Sequence, residues 1–160
     1  FIPWVGTEEF ETPEKYAALL ESTAKAKALL EKRGVEFGYH NHAHEFENGK
    51  DYLKKITDDV AGLKAELDVF WATVAGLDAV GKMKELEGKL AFVHIKEAAK
   101  ENAREAAQPV VGEGAVGMPA VFAEAKRQGI EWAVLEVEKF PCGEQEYLSR
   151  SFENMKKLGN

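Results

Sequence analysis

Residues 90–97 read Leu-Ala-Phe-Val-His-Ile-Lys-Glu, LAFVHIKE, and this octapeptide decides the fold. It starts as a short apolar run of strand length and ends in charge. Ionisable residues enter at alternate positions, His94 and Lys96, with apolar Val93 and Ile95 between them. Strand geometry places residues two apart on one face, so His94 and Lys96 point one way and Val93 and Ile95 the other. Two further stretches repeat the pattern, Lys64-Ala65-Glu66-Leu67-Asp68-Val69 and Val134-Leu135-Glu136-Val137-Glu138-Lys139. Glu66 there shares a face with Asp68, and Glu136 with Glu138. The intervening Leu67, Val69, Leu135 and Val137 are left to pack beneath helices.

Helical segments separate these strands. Thr12-Pro13-Glu14 is a helix start, with Thr12 as the cap and Pro13 at the first helical position. Apolar residues then recur at helical spacing until Gly34. A short extended run follows over 35–39, and a short helix over 52–57. Strands are predicted over 63–69, 90–95 and 132–137. Helices are predicted over 77–86, 119–127 and 144–158, the last with Tyr147, Leu148, Phe152, Met155 and Leu158 on one side. The opening Phe1-Ile2-Pro3-Trp4 reads as the end of a strand. Alternating strands and helices imply a parallel sheet, because parallel strands need crossover connections. The sheet is either open and doubly wound or closed into a barrel. No glycine-rich phosphate loop follows a strand, and the run Gly112 to Gly117 reads as a turn.

The chain has 160 residues, enough for one compact domain over 1–160. Its 45% hydrophobic and 31% charged residues are an ordinary globular balance. A net charge of -7 without a basic cluster argues against a nucleic-acid partner. No apolar run approaches the roughly 20 residues that span a bilayer. The single cysteine, Cys142, forms no intramolecular disulfide, which points to a reducing cytoplasm.

In a parallel sheet all the C-terminal strand ends lie along one edge, where ligand and catalytic sites sit. Three strands therefore bring Asp68, His94 and Glu136 to one place. Burying such groups without partners is costly, and a divalent cation meets that cost. Two carboxylates and one imidazole suit Mn²⁺, Mg²⁺, Co²⁺ or Zn²⁺ better than a thiolate-seeking metal. The plainer reading of any one strand is a polar end meeting solvent; the same pattern in three strands favours a site.

The ordered motifs GYHNHAHEF (38–46), ELDVFWATVAGLD (66–78), AFVHIKE (91–97) and EWAVLEVE (131–138) resemble the sugar phosphate isomerase/epimerase family, the xylose-isomerase-like TIM barrels. The resemblance implies one divalent metal, Mn²⁺ first among the candidates, held by Asp68, His94, Glu136 and a fourth ligand. That fourth ligand is expected to be Glu45, with His40 as its rival. It further implies a sugar or sugar-derivative substrate, with Glu45 and Glu136 carrying a proton beside a metal-bound carbonyl. Lys96 either handles a substrate oxygen or pairs with Glu66 or Glu136. Trp71 either contacts substrate or packs at the rim, and His40, His42 and Glu138 are placed on the substrate side. His44 is expected on a surface loop.

A complete barrel of this kind has about 250 residues and eight strands. The matching motifs are those of the later strands. The expectation is therefore a partial (β/α)8 barrel, its C-terminal half, with about four β/α units (strands five to eight) after a preceding helix. A second copy would complete it as a homodimer. Isomerase or epimerase chemistry is the leading expectation. The alternatives are a catalytically inert metal-binding or assembly half-barrel, a dehydratase, and an AP-endonuclease-like metallohydrolase, for which this acidic chain is poorly supplied with histidine.

Overall fold

The computed structural model describes residues 1–160. Strands β1 (Gly38–His40), β2 (Lys64–Asp68), β3 (Leu90–Ile95) and β4 (Ala133–Leu135) form one parallel sheet in the order β1-β2-β3-β4. Ile2 adds a parallel bridge to Tyr39, so the opening residues run extended beside β1. The helices are α1 (Pro13–Glu31), α2 (Tyr52–Asp59), α3 (Val69–Val74), α4 (Ala79–Glu85), α5 (Met118–Gln128) and α6 (Glu144–Gly159). These are successive β/α units of the kind that close a TIM barrel when there are eight of them. None of the helices is long and apolar enough to cross a membrane.

Local chemistry sets the helix starts. Thr12 accepts the Lys15 N–H and Asp51 accepts the Lys54 N–H. Gly117 leads into α5 with φ 81° and Gly129 ends it with φ 70°, left-handed conformations that favour glycine. Helix α3 was not expected from the sequence. The apolar run after Asp68 looks like continuing strand, but the Asp68 carboxylate accepts the Trp71 N–H at 2.9 Å and turns the chain into a helix. Strand β1 begins at Gly38, three residues later than the predicted start at 35. Strand β4 ends at Leu135, although the Glu136 N–H still donates to the Ile95 carbonyl at 3.1 Å.

The two faces of the sheet differ as the alternation requires. Tyr39, Ala65, Leu67, Val93 and Ile95 are buried in one apolar cluster with Leu53, Ile56, Phe70, Met83, Leu86, Met118 and Val121. Each fully buried Val, Leu, Ile, Phe or Met among them contributes about 1.5–3 kcal/mol. The other face carries His40, Glu66, Phe92, Asp68 and His94. Parallel register aligns His40 with Glu66, Glu66 with Phe92, and Asp68 with His94. The inward side chains thus lie in rows, with Glu66 one row deeper than Asp68 and His94. At the β4 flank the apolar surface is open, with Trp132 67% and Val134 37% exposed.

Candidate metal centre

Each candidate ligand is delivered by a strand end. Asp68 closes β2, His94 lies one residue before the end of β3, and Glu136 follows β4 directly. One ligand atom from each of the three lies within 4.8 Å of the others. His94 Nδ1 is 3.1 Å from Glu136 Oε2 and 3.8 Å from Asp68 Oδ2. A second trio, His40, Glu66 and His94, meets the same distance test.

These groups face one another without settled hydrogen bonds. Asp68 Oδ2, His94 Nδ1 and His40 Nδ1 are buried and have no hydrogen-bond partner. Buried polar atoms are rarely left so, and each unsatisfied one costs about 1–3 kcal/mol. Asp68 Oδ2 and His94 Nδ1, with a Glu136 oxygen beside them, make a set of two carboxylates and one imidazole that fits a divalent cation, and His40 adds a second imidazole nearby. The backbone around Asp68 is fixed more firmly. Asn41 accepts the Asp68 N–H at 3.0 Å and donates to the Asp68 carbonyl at 3.3 Å, joining the end of β1 to the end of β2.

Protonation follows the surroundings. Burial pushes the Asp68 carboxyl up. Burial also acts to lower His94, but in the metal-free site its contacts with Asp68, Glu136 and Glu66 outweigh it and carry the imidazole up to about 11, so an ion would bind there by displacing the Nδ1 proton. The same imidazole holds Glu136 down at about 2. His40 and His42 are each lowered by burial to about 4, which keeps both rings neutral and able to offer a lone pair.

The remaining expected residues divide. Glu45, expected as fourth ligand and proton carrier, is not at the cluster. Its carboxylate is fully buried and accepts from the Tyr39 hydroxyl and the His42 N–H, both at 2.8 Å. Tyr39 points to the helix side of the sheet, so the loop after β1 carries Glu45 away from the inner face. His40, its rival, is on the inner face, its ring 4.8 Å from that of His94. Lys96 is fully buried and pairs with Glu138 at 2.5 Å; Glu136 is farther, at 3.8 Å, and Glu66 is not a partner. Its ammonium lies 4.8 Å from the Phe70 and Trp71 rings. His44 is half-buried at the edge of the loop, its Nε2 2.9 Å from the Val5 carbonyl and 3.1 Å from Glu45.

A cleft of about 520 Å³ is lined by Trp4, His42, Trp71, Arg104 and Glu47 among others; Asp68, His94 and Glu136 do not line it, and it reaches the cluster through His42, whose ring is 4.9 Å from that of His40. His42 packs on Trp4 at 4.7 Å and on Trp71 at 5.5 Å, giving one continuous aromatic wall. Two contributors were missed in the sequence. In the sequence Glu66 is legible only as an inward carboxylate and a partner for Lys96, and Asn41 stands unmarked among the histidines. The shared face of Glu66 and His94 was visible in the alternation; which ring nitrogen it meets was not.

A family profile described as xylose isomerase-like TIM barrel matches residues 3–158. No curated protein sequence matches the chain. Among solved structures, a sugar phosphate isomerase/epimerase from Parabacteroides distasonis ATCC 8503 superposes with a TM-score of 0.76 at 22% identity, over 98% of this chain and 56% of its own. A D-psicose 3-epimerase from Clostridium cellulolyticum H10, solved with D-tagatose, gives 0.70 at 14% identity, over 100% of this chain and 62% of its own. An IOLI protein with a bound zinc atom gives 0.68 at 15% identity, over 88% of this chain and 54% of its own. At these identities the likeness is one of fold. The chain spans little more than half the length of these structures.

Proposed function

The chain belongs to the xylose isomerase-like TIM-barrel family, and from that premise we propose that it carries the metal site of a sugar isomerase or epimerase. The observation that carries this reading is the convergence of Asp68, His94 and Glu136, with Asp68 Oδ2 and His94 Nδ1 buried and unpartnered. Similarity to a sugar phosphate isomerase/epimerase and a D-psicose 3-epimerase supports a sugar or sugar derivative as substrate. A relative with zinc supports a divalent ion. Mn²⁺ leads the candidates, followed by Mg²⁺, Co²⁺ and Zn²⁺.

Asp68, His94 and Glu136 would hold the ion, with His40 as the fourth donor from the inner face. When bound, the ion supplies the Lewis acidity that makes a C–H beside a substrate carbonyl acidic. Glu136, held ionised, takes that proton. Protonation of the carbon from the opposite face, by a donor other than Glu136, gives an epimer, and delivery of the proton by Glu136 to the neighbouring carbon gives the ketose–aldose pair. Expulsion of a β-hydroxyl instead gives dehydration. Lys96, anchored by Glu138 and the Trp71 ring, donates a hydrogen bond to a substrate oxygen at the mouth. Trp4, His42 and Trp71 supply an apolar wall for the sugar carbons.

Solvent exchange tests this. With Mn²⁺ added, the protein should transfer deuterium from D₂O into one position of a ketose, and chelation should stop it. Metal binding without exchange for any ketose in a broad panel would leave a metal-binding module and remove the isomerase reading. Self-association belongs to the same reading, because Phe1, Trp132 and Val134 are exposed at the sheet. Light scattering should therefore show a dimer.

A further inference from the structure

We propose that Glu66 is a positioning residue for the metal centre: it holds His94 through Nε2, so that Nδ1 is the nitrogen presented to the ion. This rests on the metal-site reading above and adds the residue that aims its imidazole.

The two sides of the His94 ring differ in a way that decides the roles. Nε2 is 2.5 Å from Glu66 Oε1, whereas Nδ1 is 3.1 Å from Glu136 Oε2 and 3.8 Å from Asp68 Oδ2. Ligands about 2.0–2.2 Å from one ion, at tetrahedral or octahedral angles, stand about 3.0–3.5 Å apart. The 3.1 Å distance to Glu136 falls within that spacing and the 3.8 Å distance to Asp68 lies just beyond it. The Nε2 to Oε1 distance is too short for two ligands of a shared ion and suits a charge-assisted contact between an N–H and a carboxylate. Glu66 is therefore a brace for His94, and the trio it forms with His40 and His94 is not a second cation site.

Depth agrees with this assignment. Glu66 is in register with Phe92, one inward row below Asp68 and His94. It is buried, and its second oxygen lies 3.8 Å from His40 Nδ1. A carboxylate beneath the ring and paired with Nε2 favours the proton on that nitrogen and stops the ring from turning over. Nδ1 is the ring nitrogen that is buried without a hydrogen-bond partner.

The wild-type chain, labelled with ¹⁵N-histidine and loaded with ¹¹³Cd²⁺, gives a direct test, because four histidines are readily resolved. The expected spectrum has cadmium coupling at His94 Nδ1 and a proton on Nε2. Coupling at Nε2 would overturn the proposal. Glu66→Ala should weaken Cd²⁺ binding about 10–100-fold with one ion still bound per chain, and Glu66→Gln, whose amide oxygen still accepts from Nε2, should recover part of the loss. Two ions in the wild type and one in Glu66→Ala would instead make Glu66 a ligand and sink the idea. Should Glu66→Ala fail to fold, the wild-type coupling decides alone. A wild type that takes up no Cd²⁺, Zn²⁺ or Mn²⁺ would overturn the metal-site reading itself, an outcome distinct from coupling at the wrong nitrogen.

Discussion

The Asn41 side chain is clasped to the backbone of Asp68, its oxygen accepting the Asp68 N–H at 3.0 Å and its nitrogen donating to the Asp68 carbonyl at 3.3 Å. Both residues are fully buried, so the clasp fixes the end of β2 against the loop that leaves β1. Asn41→Ala would strand two buried backbone groups, at about 1–3 kcal/mol each. Urea denaturation should show a loss of about 2–4 kcal/mol, and isothermal titration should show weaker Mn²⁺ binding as Asp68 loosens.

Asp68 itself should show opposed effects on stability and on binding. Its carboxyl is raised by burial, so its charged form costs stability at neutral pH in the metal-free protein. Asp68→Asn keeps an oxygen for the Trp71 N–H but removes the charge. Metal-free Asp68→Asn should melt at or above the wild-type temperature, while Mn²⁺ affinity falls by more than about 100-fold, beyond the loss typical of an outer partner. A clear drop in the metal-free melting temperature would contradict this account of the site.

Glu97 organises the long connection between β3 and α5. Its oxygens accept the N–H groups of Ala98 at 3.1 Å, Gly112 at 2.9 Å and Val116 at 3.0 Å. A Cβ added at Gly114 would meet the Ala98 carbonyl at 2.3 Å, so the loop is closely wrapped there. Glu97→Ala should destabilise by about 3 kcal/mol or more and release the Gly112 and Val116 amides to hydrogen exchange. The mouth should suffer too, since Gln108 on this loop accepts the N–H groups of Glu138 and Lys139.

Acid sensitivity should arise at Glu124 as well as at Glu136 in the site. Hydrogen bonds from Arg127 and then Gln128 bring the Glu124 carboxyl from 4.5 to about 2. A depressed folded-state value means that the stabilisation is present above the unfolded value and is lost as pH falls from 4.5 towards 2. Arg127→Ala should flatten that part of the stability–pH curve, as followed by urea titration at a series of pH values.

Trp71 should affect substrate more than metal. Its ring lines the cleft and backs Lys96 at 4.8 Å, while only its backbone N–H meets Asp68. With whichever ketose shows exchange, Trp71→Ala should raise KM about tenfold, the scale of one aromatic contact, with Mn²⁺ affinity unchanged. Equal losses in both would place Trp71 at the ion.

The sequence alone determined the parallel sheet, the sidedness of its strands and the convergence of Asp68, His94 and Glu136. All three follow from a period of two along each strand and from the common polarity of parallel strands. It also marked the helix starts at Thr12 and the stop at Gly129, because caps and left-handed turns are local chemistry. Only the tertiary structure decided that Glu45 turns to the helix side to meet Tyr39, that Asp68 starts a helix, and that Glu66 reaches Nε2 of His94. Those outcomes depend on how a loop folds back, on which acceptor a backbone N–H finds and on how rows of side chains stack between strands. None of them is written in the spacing of residues along one segment, because each is settled by contact between segments far apart in the chain.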